Sequence, residues 1–231
     1  MKKQIIKLWI FGLLLTSWSA QAQQIFKGKI TYKTTFTGDE KLVNQAKGFM
    51  PELEEIVTDG KNFRILDEGG FVTKEILFEA GNEFYYLISA KDETITKEKF
   101  RKRRKRSRPP IFKKTEEVKT VAGLTARKYE VWRKEKKRAE VWVSETYRWN
   151  LENHPYRFKK TLMLDASTSD LDNKVLLGLN FPHPTGNAEI TVWAKEITTK
   201  IPKGAFKLPD FQMIDRFKDL KKSERSNDGG R

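Results

Sequence analysis

The densest set of chemically capable side chains is residues 99–108, KFRKRRKRSR, with eight positive charges and no acid, followed at once by Pro109 and Pro110. Guanidinium and ammonium groups at this density bind phosphates through counterion release and bidentate hydrogen bonds. Arg101, Lys102, Arg103, Arg104, Lys105, Arg106 and Arg108 are therefore the candidate polyanion-binding residues. Base recognition would also need stacking aromatics, and only Phe100 inside the tract and Phe112 just after it supply any. That argues against nucleic acid as the partner and leaves phosphate-bearing surfaces. The alternative is a solvated loop held extended by like-charge repulsion.

Catalytic and metal-binding patterns are sparse. His154 and His183 both stand beside prolines in loop-like sequence, and with no cysteine in the chain a transition metal would need acids recruited from elsewhere. No G-x-S-x-G, H-E-x-x-H or phosphate-cradling glycine loop occurs. Glu54-Glu55 and Glu116-Glu117 are adjacent in strand-like sequence, so each pair splits between opposite faces and cannot share acid/base work. The expectation is a non-catalytic protein with no cofactor and no metal.

Aromatic residues offer a different chemistry. Trp132, Trp142 and Trp193 each fall on the face opposite the small aliphatic residues of their strands, while Ile30, Tyr32 and Phe36 line the apolar face of the first strand. These six are the candidate lining of an apolar groove that could take a lipid or another hydrophobic ligand, since a curved sheet without a filling layer is concave. The alternative is a core covered on both sides.

The elements that would position these residues are mostly strands. Residues 25–37 alternate Phe26, Gly28, Ile30, Tyr32, Thr34 and Phe36 with polar partners, which predicts a half-buried strand. Residues 40–50 place Leu42, Val43, Ala46 and Phe49 on one helical face, with Asp39 as cap and Pro51 as stop. Strands are expected at 53–58, 61–66, 71–79 and 83–89, separated by glycine-containing turns, then at 125–133, 139–144, 174–181 and 188–199. No crossover-length helices alternate with them, so the fold class predicted is mainly β: a curved antiparallel sheet or incomplete β-barrel with one or two short covering helices.

Residues 1–22 read as a signal peptide: Lys2, Lys3 and Lys7, an apolar run at 8–15, and Ser19-Ala20-Gln21-Ala22 at the cleavage site. The run is too short to span a bilayer, and no cysteine follows for lipidation, so the expectation is a periplasmic protein. Residues 23–215 are expected to form one domain, with a basic loop at about 97–110 and a flexible tail at 216–231. The formal charge of +15 becomes 15 − 3 = +12 without the three signal-peptide lysines, and the tract supplies eight of these.

Several phrases together resemble the GLPGLI-like group of exported Bacteroidetes proteins. They are Phe26-Lys27-Gly28-Lys29-Ile30-Thr31-Tyr32, Val121-Ala122-Gly123-Leu124-Thr125-Ala126-Arg127-Lys128-Tyr129, Glu140-Val141-Trp142-Val143, and Ile201-Pro202-Lys203-Gly204-Ala205-Phe206-Lys207-Leu208-Pro209. That group is similar in turn to the periplasmic lipoprotein-carrier (LolA/LolB-like) superfamily, and the resemblance implies an incomplete antiparallel barrel closed by helices over an apolar groove. At the motif that names the group this chain has Leu177-Gly178-Leu179-Asn180-Phe181-Pro182, so no ligand residue carries over. Two functions follow as expectations. One is a periplasmic protein that binds a lipid or other apolar ligand in a concave sheet and docks its basic loop on anionic membrane or envelope phosphates. The other is a structural or interaction module of the envelope with a filled core and no small ligand. The sequence specifies no oligomeric state.

Overall fold

The computed structural model describes residues 23–69, 74–99, 110–151, 163, 171–182 and 187–215. The expected signal peptide, the tail at 216–231, His154, His183 and the tract residues Arg101 to Arg108 lie outside the described residues.

The alternating segment folds as β2 (Gly28–Gly38), with Ile30, Tyr32 and Thr34 buried and Lys33, Thr35 and Thr37 exposed. Asp39 caps α1 (Glu40–Phe49) by accepting the Leu42 N–H at 3.1 Å. Five strands then continue from β2 as an antiparallel meander: β3 (Leu53–Thr58), β4 (Phe63–Glu68), β5 (Lys74–Phe78), β6 (Phe84–Ser89) and β7 (Thr94–Lys99). A second meander comprises β8 (Ile111–Val121), β9 (Leu124–Arg133), β10 (Lys136–Arg148), β11 (Lys174–Pro182) and β12 (Ala188–Thr198). Antiparallel pairing of β12 with β2 joins the two meanders into one sheet. Two short parallel strands complete it, β1 (Gln24–Ile25) on β10 and β13 (Gln212–Asp215) on β7.

The expected fold class is what the chain adopts: mainly β, with one helix among the described residues and an open curved sheet that does not close into a barrel. β7 runs through Lys99, so its last three residues fall where the basic loop was expected to begin. β7 and β8 lie ten inter-strand steps apart in the sheet yet are consecutive in sequence. A flat sheet would separate them by about 48 Å, more than the ~43 Å that twelve peptide steps can span, so the sheet must curve. Bulges help. One in β10 is held by the buried Ser144 hydroxyl, which accepts the Thr146 and Tyr147 N–H groups at 3.1 and 2.9 Å. No helix among the described residues is long and apolar enough to cross a membrane.

One face of the sheet holds the main core. Ile30, Ile56, Ile65 and Ile76 are consecutive partners across β2, β3, β4 and β5, and all are wholly buried. Trp149, just past β10, sits edge-on to Phe26 at 5.6 Å and to Phe63 at 5.8 Å, with Leu151, Met163 and Leu171 in the same cluster. The helix adds less than its pattern suggested: Ala46 is its buried residue, and Phe49 is 81% exposed. A smaller core lies on the other face of β5 to β7, where Phe206, Leu208 and Phe211 cover Leu77, Ile88 and Ile95. Arg64 pins this carboxy-terminal strap by donating to the Ala205 and Lys207 carbonyls at 2.8 and 3.3 Å while it pairs with Glu75.

Trp149 links residues from three parts of the chain, so Trp149→Ala is expected to lower stability by about 3–5 kcal/mol in urea denaturation. A loss under about 1 kcal/mol would show that the indole does not hold this core together.

Candidate functional site

The six proposed groove residues do not share a face. Ile30 and Tyr32 are wholly buried on the inner face of β2, and Phe36, nearer the strand end, is half-buried there. Tyr32 donates its phenolic hydrogen to the Leu176 carbonyl on β11 at 2.8 Å, a bond across 144 residues of sequence that ties the two meanders together. Its pKa is raised well above 10.0, first by burial and then by the charge of Glu54.

Glu54 adjoins Glu55 in sequence, and the two do fall on opposite faces: Glu55 points out to Lys29 Nζ at 3.0 Å, and Glu54 is buried. Pairing across strands brings together what adjacency in sequence does not. Glu54 stands opposite both Tyr32 and Asp67, and Asp67 is buried and stands opposite Lys74 in register. Tyr32, Glu54 and Asp67 thus form a row of polar residues across three strands inside an apolar face. Glu116 and Glu117 are also separated, Glu116 lying 3.8 Å from Arg127 and Glu117 3.0 Å from Lys128.

Trp142 and Trp193 lie on the opposite face, where the register aligns Trp193, Gly178, Trp142 and Lys128 across β12, β11, β10 and β9. The two rings are 6.1 Å apart at 48°. Gly178 lies beneath Trp193, and a methyl group there would overlap the indole at Cε3 and Cζ3. In the sequence Gly178 stands out only as part of Leu177–Pro182, the stretch that departs from the family motif, and nothing local marks it as the seat of a tryptophan. The curl of the sheet brings β8 back against β12, so Lys119 Nζ sits 3.9 Å from the Trp142 centroid and 3.4 Å from that of Trp193. Burial lowers the Lys119 pKa and the charge of Lys128 adds to the effect, against the opposing charges of Glu117 and Glu140. Alongside, Lys128 is raised by hydrogen bonds to Glu117 and Glu140. Burial acts against ionisation of Glu140, but bonds from Lys137 and Lys128 hold it below its usual value. The indole faces that could line a groove are thus occupied by the chain's own cation.

Trp132 is separate again, at the far end of β9. Its indole N–H donates to Glu130 at 2.9 Å and its ring carries Lys113 Nζ at 4.1 Å. Beside it the β9–β10 turn, Lys134-Glu135, has φ of 50° and 59° at its two residues. Those values fit a type I′ hairpin turn and place the surrounding basic residues at an exposed tip.

No family model and no curated protein matches the chain. Among solved structures it is similar to PNGF-II in a C2 crystal form, at 13% identity and a TM-score of 0.40, over 83% of this chain and 32% of that one. The chain thus spans about a third of that relative's length. It is also similar to an uncharacterised conserved protein from Thermus thermophilus, at 11% identity and a TM-score of 0.37, over 80% of this chain and 90% of the other. Likenesses this loose carry no functional argument.

Tyr32→Phe should lower stability by about 1 kcal/mol at neutral pH through loss of the Leu176 bond. It should also flatten the alkaline limb. Above about pH 10 the unfolded chain releases a phenolic proton that folded Tyr32 retains, so wild-type stability falls as pH rises. Tyr86, raised by burial and then by Glu79, keeps a smaller slope in the variant. An unchanged alkaline limb in urea midpoints against pH would contradict the burial of this hydroxyl. Gly178→Ala should cost about 1–3 kcal/mol by displacing the Trp193 indole. In a Trp193→Ala background the same change should cost much less, and equal costs in a double-mutant cycle would refute the contact.

Proposed function

We propose that the chain is a non-catalytic module of the cell envelope, exported to the periplasm, whose filled sheet is a scaffold and whose surface does the binding. The observation that carries this reading is the complete burial of Ile30, Tyr32, Ile56, Phe63, Ile65 and Ile76 on the inner face, so that none of their surface lies open to an entering acyl chain. The Trp142–Trp193 pair supports it, since Lys119 occupies the space above both rings. In this reading residues 99–108 supply an electrostatic contact to anionic envelope phosphates.

A second reading, an apolar-ligand carrier, has one observation in its favour beside the family resemblance. Phe36 and Phe181, which flank Ile190 in adjacent strands, are only half-buried and leave apolar surface at one end of the inner face.

Native mass spectrometry of gently purified protein separates the two. A mass without adducts, together with no binding of an apolar fluorescent probe, is expected. A stoichiometric lipid-sized adduct that is lost on Phe36→Asp would overturn the filled-core reading and establish the carrier.

A further inference from the structure

We propose that the tip of the β9–β10 hairpin, with the start of β8 beside it, is a docking surface for an anionic phospholipid membrane. This rests on the surface-acting reading above and names a contact distinct from the basic tract at 99–108. Arg133, Lys134, Lys136, Lys137 and Arg138 carry five positive charges against the single acid Glu135, a net of 5 − 1 = +4 within six exposed residues. Lys113 and Lys114, also exposed, extend the cluster onto β8. Lys137 is committed to Glu130 and Glu140, at 3.0 and 2.6 Å. Among the described residues, Arg133, Lys134, Lys136 and Arg138 have no carboxylate within ion-pair distance.

Charge alone would suit any polyanion, and three further features favour a membrane. Ile111 is 62% exposed and stands in register with Trp132, so an aliphatic side chain and an indole lie within the cationic cluster. An interfacial pairing of this kind inserts apolar atoms at the headgroup boundary while the cations meet phosphates. Second, the tip is exposed. The pairing of β10 with β11 begins at Glu140, so among the described residues 136–139 pair with β9 alone, and the exposed turn at their end suits a broad surface better than a bound strand. Third, Trp132 is covered by Lys113 on its face and tethered to Glu130 through its N–H, which leaves it poorly placed to stack with a nucleobase.

The test is flotation of the full chain with vesicles of phosphatidylcholine alone and of phosphatidylcholine with phosphatidylglycerol, the difference isolating the anionic contribution. Three variants are compared: Arg133→Gln/Lys134→Gln/Lys136→Gln/Arg138→Gln, Ile111→Ser, and a chain with its tract residues 101–108 changed from Arg and Lys to Gln. All changed residues of the first two are exposed, and circular dichroism confirms folding. The hairpin variant should bind anionic vesicles at least about tenfold more weakly. Ile111→Ser should weaken binding severalfold even at a salt concentration that screens the charges. Wild-type affinity in the hairpin variant overturns the proposal, and if the tract variant alone loses binding then the tract reading stands without it. Loss in the hairpin variant with a normal tract variant upholds the hairpin and removes the tract from the account. No preference of the wild-type chain for anionic vesicles overturns both. Tighter binding to soluble polyphosphate or single-stranded oligonucleotide than to vesicles overturns the membrane as partner.

Discussion

The pairing of β12 with β2 is the contact on which the rest of the structure depends. It runs from Ala188 opposite Gly38 to Thr198 opposite Lys29, and it brings together segments 150 to 169 residues apart in the chain. Without it the molecule is two meanders, each with one apolar face open to water. Such contacts form only after a large loop-closure entropy has been met, so the pairing must be strongly favoured once made. Its two ends are shaped for close approach: Gly28 and Gly38 have φ of 142° and 112°, and a side chain at either would overlap the backbone at Thr198 or Asn187. Tyr32 reinforces the junction through its bond to Leu176, one strand beyond β12.

Joining the meanders sets what each face of the sheet can do. The inner face is continuous from β5 through β2 to β10 and is filled by large aliphatic and aromatic groups. The opposite face is divided. The carboxy-terminal strap covers it at β5 to β7, and Lys119 covers the tryptophans at β10 and β12. Apolar surface on both faces is thus largely covered by the chain's own side chains. Among the described residues a cluster of exposed basic side chains lies at the β9–β10 tip, where residues 136–139 pair with β9 alone. Fold and surface are thus linked: the same β10 that carries Trp142 into the core carries Lys136 and Arg138 beyond it.

Much of this was legible in the sequence because period-two alternation is local. The strand expected at 53–58 coincides with β3, the helix expected at 40–50 is α1, and the modest strand signal at 174–181 became β11. β8 carried no such signal. Lys113, Lys114, Glu116, Glu117 and Lys119 interrupt any apolar run, because β8 is an edge strand whose charges are satisfied by pairing or solvent. β13 and β1 are too short, and parallel, so neither announces itself by a hairpin turn. The site residues were harder to read. The faces of Trp142 and Trp193 were legible from alternation, but their occupation by Lys119 depends on a curl of the sheet that no local pattern encodes. Glu54 and Asp67 meet through register alone, and Gly178 matters only because of the residue that happens to lie above it.

Native-state hydrogen exchange, read strand by strand, tests most directly whether the β2–β12 junction makes one cooperative sheet around a filled core. Amides in β2, β3, β11 and β12 should exchange only through global unfolding, with the same free energy on both sides of the junction. If the β3–β7 meander and the β9–β11 meander open at clearly different free energies, and β12 exchanges ahead of both, the two halves fold independently and the account is wrong.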